Sequence, residues 1–340
     1  MPDIAHQWTD DRLEELTMRL HDAYIQASFE MSDRLNEWLA SYKSQNSAWK
    51  KAVKQGFAKQ EDYESWLQDR LNEYLYQQNM IDVLTYDSIN ADVRARQMIR
   101  DEIPTIFAEN GNYAMFDIER QSGLDTAFTL YDQDTVRYLV EQDRQLVPDL
   151  DIGKDYRWTR QKMTSAITQS ILQGEAIPDV MKRVRRVVGV SERSSEAVAR
   201  TAVTYAEAQG RQRSYERAER LGIPLMKEWH AHMDGRTRLA HRKADGQKVR
   251  VGERFNVDGH MMTGPADPTA PAYLVWNCRC RCVGDVQRDD IPPAVIHRYS
   301  RLPKGMTYEE WKKGRYRTDR NNAETDESKR ERGVKTDGTV

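Results

Sequence analysis

DDRLEELTMRLHDAYIQASFEMSDRLNEWLASY, residues 10–42, decides the fold class. Leu13, Leu16, Leu20, Tyr24, Ala27, Met31, Leu35, Trp38 and Leu39 recur at steps of three and four, which places them on one face of an α-helix. One long amphipathic helix, or two in line, is expected. A second such stretch begins near Tyr63, with Trp66, Leu67, Leu71, Tyr74 and Leu75. A third runs from Ile89 through Val93 and Gln97 toward Ile103, where Pro104 should end or bend it because it lacks an N–H and crowds the preceding turn. Such stripes read as helix-packing faces, and no chemistry is assigned to them.

Working outward, residues 157–222 contain three helix-sized units with punctuation between them. Trp158 to Leu172 stops at Gly174, Pro178 to Val188 stops at Gly189, and Ser194 to Leu221 stops at Gly222 and Pro224. After Leu221 the texture changes. LMKEWHAH reads as a strand, RTRLAHRKA as a short helix, QKVRV as a strand, and FNVDGHMM as two short arms around an Asp258-Gly259 turn. The loop TGPADPTAP is a rigid turn signal, and YLVWNCRCRCVGDV alternates like a strand. The fold class is therefore mainly α, with long amphipathic helices followed by a small, compact α+β C-terminal module. The domains expected along the chain are an acidic helical region (1–150), a basic helical region (151–222), the α+β module (223–288) and a polar, largely disordered tail (289–340), whose last part from Asn321 has almost nothing to bury.

Charge divides the chain as well. Residues 1–150 hold 15 Lys+Arg against 28 Asp+Glu, a net of −13, while residues 151–340 hold 37 against 26, a net of +11. The two halves either face different partners, the second facing nucleic acid or an acidic protein surface, or attract each other and their neighbours in an assembly. No run of about 18 apolar residues occurs, so a membrane-spanning helix is not expected. The N-terminal stretch lacks a basic-then-apolar secretory profile, and the cytoplasm where the chain is made is its expected location. Cys278, Cys280 and Cys282 are the three cysteines, too few and too close for a disulfide framework, so reduced thiols are expected.

One constellation has specific order and spacing. Ala199, Arg200 and Thr201 are followed by Trp229, then by Asp234, Arg236, Thr237, Arg238 and His241, then by Gly246 and Gln247, and finally by Asn277, Cys278, Arg279 and Cys280. This series resembles the C-terminal region of the phage Mu F-like head-morphogenesis proteins, and the resemblance extends over residues from about 90 to 285. Gly235, His232 and Cys282 depart from the family's pattern without removing a motif position. The resemblance implies a minor capsid protein inside the phage head near the portal vertex. It also implies portal, capsid or scaffold proteins as partners, and a part in procapsid assembly, with packaging or ejection of DNA as a further role.

The residues themselves leave chemical alternatives open. A strand through Cys278, Cys280 and Cys282 would turn all three sulfurs to one face and Arg279 and Arg281 to the other. With His241, or with His230, His232 or His260, the thiols could form a zinc site; alternatively they fill the core of a small domain, and no cofactor is needed. Lys182, Arg183, Arg185, Arg186, Arg211 and Arg213 are candidates for contact with DNA, or else form a solvated helix face. His241, Arg238 and Cys278 could seat a nuclease or toxin-like enzyme, with Asp234 in support, whereas pairing of Arg236 and Arg238 with Asp234 or Asp245 would make the same residues structural. The chain is read as a non-enzymatic head protein. A nuclease and a stand-alone DNA-binding module are the alternatives.

Overall fold

The computed structural model describes residues 3–76, 79–131, 136–137 and 152–315. Four helices come first: α1 (Ile4–Trp38), α2 (Ala40–Lys54), α3 (Gln60–Tyr76) and α4 (Asn79–Ser122). The short β1 (Leu124–Asp125) follows, then α5 (Ile152–Leu172) and α6 (Ile177–Arg220). The remaining elements are short: β2 (Leu225–His230), α7 (Leu239–Ala244), β3 (Lys248–Arg250), β4 (Phe255–Val257), β5 (His260–Met262), α8 (Ala272–Val275), β6 (Arg281–Val286), α9 (Pro293–Arg298) and β7 (Ser300–Arg301). The mainly α class with a small mixed module is what the periodicity predicts. Among the described residues no helix is long and apolar enough to cross a membrane.

Two helix boundaries differ from expectation. α4 runs through Pro104, which is itself buried between Ile103 and Ile106; apolar packing on both sides outweighs the lost backbone bond. Its buried stripe passes through Ala91, Ala95 and Ile99, while Val93 and Gln97 face solvent, so the small alanines and not the larger valine mark the inner face. α6 passes straight through Gly189. A glycine inside a helix costs only about 1 kcal/mol, and the buried Val184, Val188 and Val198 carry the inner face across it. Tyr74 and Leu75 belong to α3, but their side chains lie outside the described residues, as does the tail from Asn321.

The chain forms two compact units, and they are not the linear domains 1–150, 151–222, 223–288 and 289–340. One unit comprises Met1–Leu13, Glu102–Leu146 and Arg200–Val340; the other comprises Glu14–Asp101 and Val147–Ala199. The reason is the length of α4 and α6, each of which contributes one part to each unit.

In the second unit the expected stripe is the core of α1, with Leu16, Leu20, Tyr24, Ala27, Met31, Leu35 and Leu39 all buried. Tyr24 donates to Asp92 at 2.6 Å and pairs with Ser195 Oγ at 2.7 Å, which satisfies a buried hydroxyl. α3 packs on α2 and α5. The turn after α5 is fixed where Asn46 and Lys50 donate to the Gly174 carbonyl at 3.0 and 2.6 Å, with Gly174 at φ +58°.

The first unit contains the mixed module. β2 is the central strand of a three-stranded antiparallel sheet ordered β3-β2-β6, with Trp229 opposite Cys282. β4 and β5 form the hairpin predicted around Asp258-Gly259. The stretch YLVWNCRCRCVGDV is not one strand. Pro271 starts α8, Asn277 turns the chain with φ +56°, and the strand begins only at Arg281. The segment after Asp289 is also not a disordered tail over residues 291–315. Ile291, Val295, Leu302, Tyr308 and Trp311 enter the same core as Trp229 and Phe255. β7 pairs with β1, and Glu119, fully buried at the end of α4, accepts from Trp311 Nε1 at 2.6 Å and Arg315 at 2.8 Å. Tyrosine, tryptophan and arginine make this stretch polar by composition while still giving it a face to bury.

Candidate metal centre

The motif residues gather around His241. This histidine lies on the inner face of α7 and is 2% exposed, and its ring meets the Trp229 indole edge-on at 5.7 Å between centroids. Its Nδ1 is 3.7 Å from Cys278 Sγ and 3.3 Å from Cys280 Sγ. The three donor atoms lie within 4.8 Å of one another. Cys278 and Cys280 stand just before β6 and turn their sulfurs to His241, while the intervening Arg279 turns to Asp234.

The rest of the motif holds this arrangement in place. Arg279 donates through both terminal nitrogens to Asp234, at 2.5 and 2.8 Å. Asp234 also accepts from the Arg236 amide at 2.8 Å and Thr237 Oγ1 at 3.0 Å, so one carboxylate ties the loop before α7 to the Cys-Arg-Cys segment. Arg238 donates to the Trp276 carbonyl, and Arg242 donates to the Asp234 and Thr237 carbonyls. From α6, Thr201 Oγ1 accepts from the Asn277 amide at 3.1 Å and Thr204 Oγ1 donates to the Cys278 carbonyl at 2.8 Å. Gly246 has φ +75° and donates to the Trp229 carbonyl at 2.8 Å; the Gln247 side chain bonds both backbone groups of Asn256. A left-handed turn of this kind favours glycine.

The proline-rich loop does more than turn. Asp267, 2% exposed, accepts from the amides and hydroxyls of both Thr263 and Thr269, between 2.7 and 2.9 Å. The two thiols are coupled. Cys280 is drawn below the ordinary thiol range by its hydrogen bond with Cys278, against the cost of burial and with help from His241, while Cys278 is pushed up by Cys280 and by burial. Sequence reasoning missed Asp267, Thr204 and the clamp between Asp234 and Arg279. The threonines flanking Asp267 at −4 and +2 are the one visible signal for the first of these.

Cys282 is separate. It sits on the core side of β6, burial pushes its thiol up to about 12, and it is not among the donors around His241. His230, His232 and His260 stand outside that donor set as well. Of the candidate DNA contacts, Arg211 is the clear exception. It is 2% exposed and bonded to Asp3, Asn110, Glu207 and the Cys282 carbonyl, so it cannot meet a polyanion. Arg183 is paired with Glu175 at 2.6 Å, and Arg185 lies over the Phe29 ring and near Ser32. Lys182, Arg186 and Arg213 are exposed. A hydrolytic site at His241 and Cys278 would need access for a nucleic-acid backbone. Both residues are buried, and the cavities bordered by Asp3 and Arg281 in the same unit are not lined by them.

Residues 161–283 match the family model described as Phage Mu protein F like protein. That match is narrower than the 90–285 read from the motif. Among curated proteins, it is 28% identical over 246 residues to the minor head protein GP7 of Bacillus phage SPP1, covering 66% of this chain and 75% of that protein. It is also 27% identical over 216 residues to the NAD(+)–arginine ADP-ribosyltransferase EFV of Enterococcus faecalis, covering 62% of this chain. The chain spans less than half of that second protein, 43% of its length. No solved structure matches the chain.

Proposed function

We propose that this chain is a minor head protein of a phage particle, which associates with the portal vertex and takes part in procapsid assembly. The observation that carries the reading is the Mu F-like match over residues 161–283, together with a similarity that spans three quarters of the SPP1 minor head protein. The charge polarity gives the two halves of the sequence different partners. The acidic residues 1–150 meet the shell or the portal, and the basic residues 151–340 face packaged DNA through exposed side chains such as Lys182, Arg186 and Arg213. The enzymatic name of the second relative does not transfer, because more than half of that protein lies outside the match.

Co-purification with the cognate portal protein, followed by mass spectrometry of mature particles, tests the reading; association and retention in the head are expected. For DNA, the full chain carrying glutamine at 182, 186 and 213 should show a shallower fall of affinity with salt than the native chain. Absence from both portal complex and particle, with nucleolytic activity that disappears in His241→Ala, would replace this reading with the enzymatic one.

A further inference from the structure

We propose that His241, Cys278 and Cys280 bind one zinc ion, which serves as the structural staple of the mixed module. Zinc bonds of about 2.3 Å to sulfur and about 2.0–2.1 Å to nitrogen, at tetrahedral angles, put S and N about 3.5 Å apart. The two S···N separations here, 3.3 and 3.7 Å, bracket that value. The donor chemistry, two thiols and an imidazole, is the soft and borderline set that suits zinc rather than magnesium or calcium.

A further observation distinguishes this set from thiols that merely fill a core. Both sulfurs converge on the same imidazole nitrogen, whereas Cys282, equally buried, is drawn into no such cluster. The Cys-x-Cys spacing fits because both sulfurs reach the same imidazole nitrogen across the single intervening residue. The intervening Arg279 points away and is anchored by Asp234, so the metal-facing and solvent-facing sides of the segment are fixed together. With 1–3% exposure at all three donors, the ion is shut away from any substrate and its role is structural.

The test is metal analysis of the full chain purified without chelator, joined to cobalt(II) titration of the apo protein. About one zinc per chain is expected, with an intense visible cobalt spectrum and a near-ultraviolet thiolate-to-cobalt band. Cys280→Ala and His241→Ala should lose both, and Cys282→Ala should keep both. His241→Cys preserves a ligand at the position, so it should retain zinc and shift the cobalt bands even where the alanine variants fold poorly. An apo protein that takes up neither ion overturns the proposal, as does binding that survives Cys280→Ala and His241→Ala or that is lost in Cys282→Ala. The family assignment rests on sequence similarity and stands whichever result is obtained.

Discussion

Arg279 grips Asp234 with both terminal guanidinium nitrogens, and through that one contact the loop leading into α7 and the segment leading into β6 become a single rigid piece. Asp234 is held below the ordinary carboxylate range first by Arg279, against desolvation, and then by the Arg236 amide and the Thr237 hydroxyl. A carboxylate with a depressed folded pKa stabilises the fold above its unfolded value of about 3.9, and the stabilisation is lost as pH falls through the folded value. Asp234→Asn should therefore melt below the native chain at about pH 7. The gap should persist to about pH 4 and close only in stronger acid, as followed by circular dichroism.

Arg211 is surrounded by Asp3, Glu207 and Asn110 in the interior of its unit. Removing the cation leaves carboxylates facing each other without compensation, and breaking a buried pair in this way costs about 3–5 kcal/mol. Arg211→Ala should unfold at markedly lower urea concentration, whereas Arg213→Ala, at an exposed site, should change the midpoint little.

His6 shares the same cluster. Burial lowers its pKa, but the hydrogen bond and charge of Glu207 outweigh this and raise it above 6.5. Its stabilising effect is then complete below pH 6.5 and declines as pH rises through the folded value. The difference in melting temperature between the native chain and His6→Gln should shrink from mildly acidic to alkaline buffer.

α4 and α6 cross at a glycine pair. A Cβ on Gly210 would collide with the Phe107 carbonyl and sit 3.1 Å from the Gly111 nitrogen. Backbone cannot yield as a side chain does, so Gly210→Ala should destabilise by about 1–3 kcal/mol, measured by denaturant unfolding. Gly235→Ala, where a Cβ meets nothing within 4 Å, is the matched control.

The last described helical residues make a further prediction. Trp311 is 2% exposed and donates to the buried Glu119. Trp311→Ala should cost about 3–5 kcal/mol from lost burial, and a chain cut after Asp290 should lose cooperative unfolding of that unit.

The helices of the N-terminal stretch were legible because a dominant large-residue stripe, Leu16 to Leu39, repeats without interruption. Where the buried face is alanine, as at Ala91 and Ala95, or where glycine and proline sit inside a helix, local pattern misleads, because long-range packing decides. The same holds for 291–315, whose few large apolar residues are diluted by charge. At the site, the alternation of the three cysteines was legible, but not the choice of His241 among four candidate histidines nor the exclusion of Cys282. That depends on where extended backbone becomes paired strand, and on a turn at Asn277 whose left-handed geometry has no marker beyond the residue type. Arg211 was misread as a DNA contact because a charged residue on a helix carries no sign of which side it faces when its acidic partner, Asp3, is 208 positions away.

Glu119 and Trp311 are joined across 192 positions. On a ribosome adding about 5–20 residues per second, the carboxylate at the end of α4 therefore exists for roughly 10–40 seconds before its indole and guanidinium partners are made. Until then it must remain hydrated, and the apolar surface beside it stays open to solvent and to chaperones. The pairing of Glu119 therefore waits on the translation of Trp311 and Arg315.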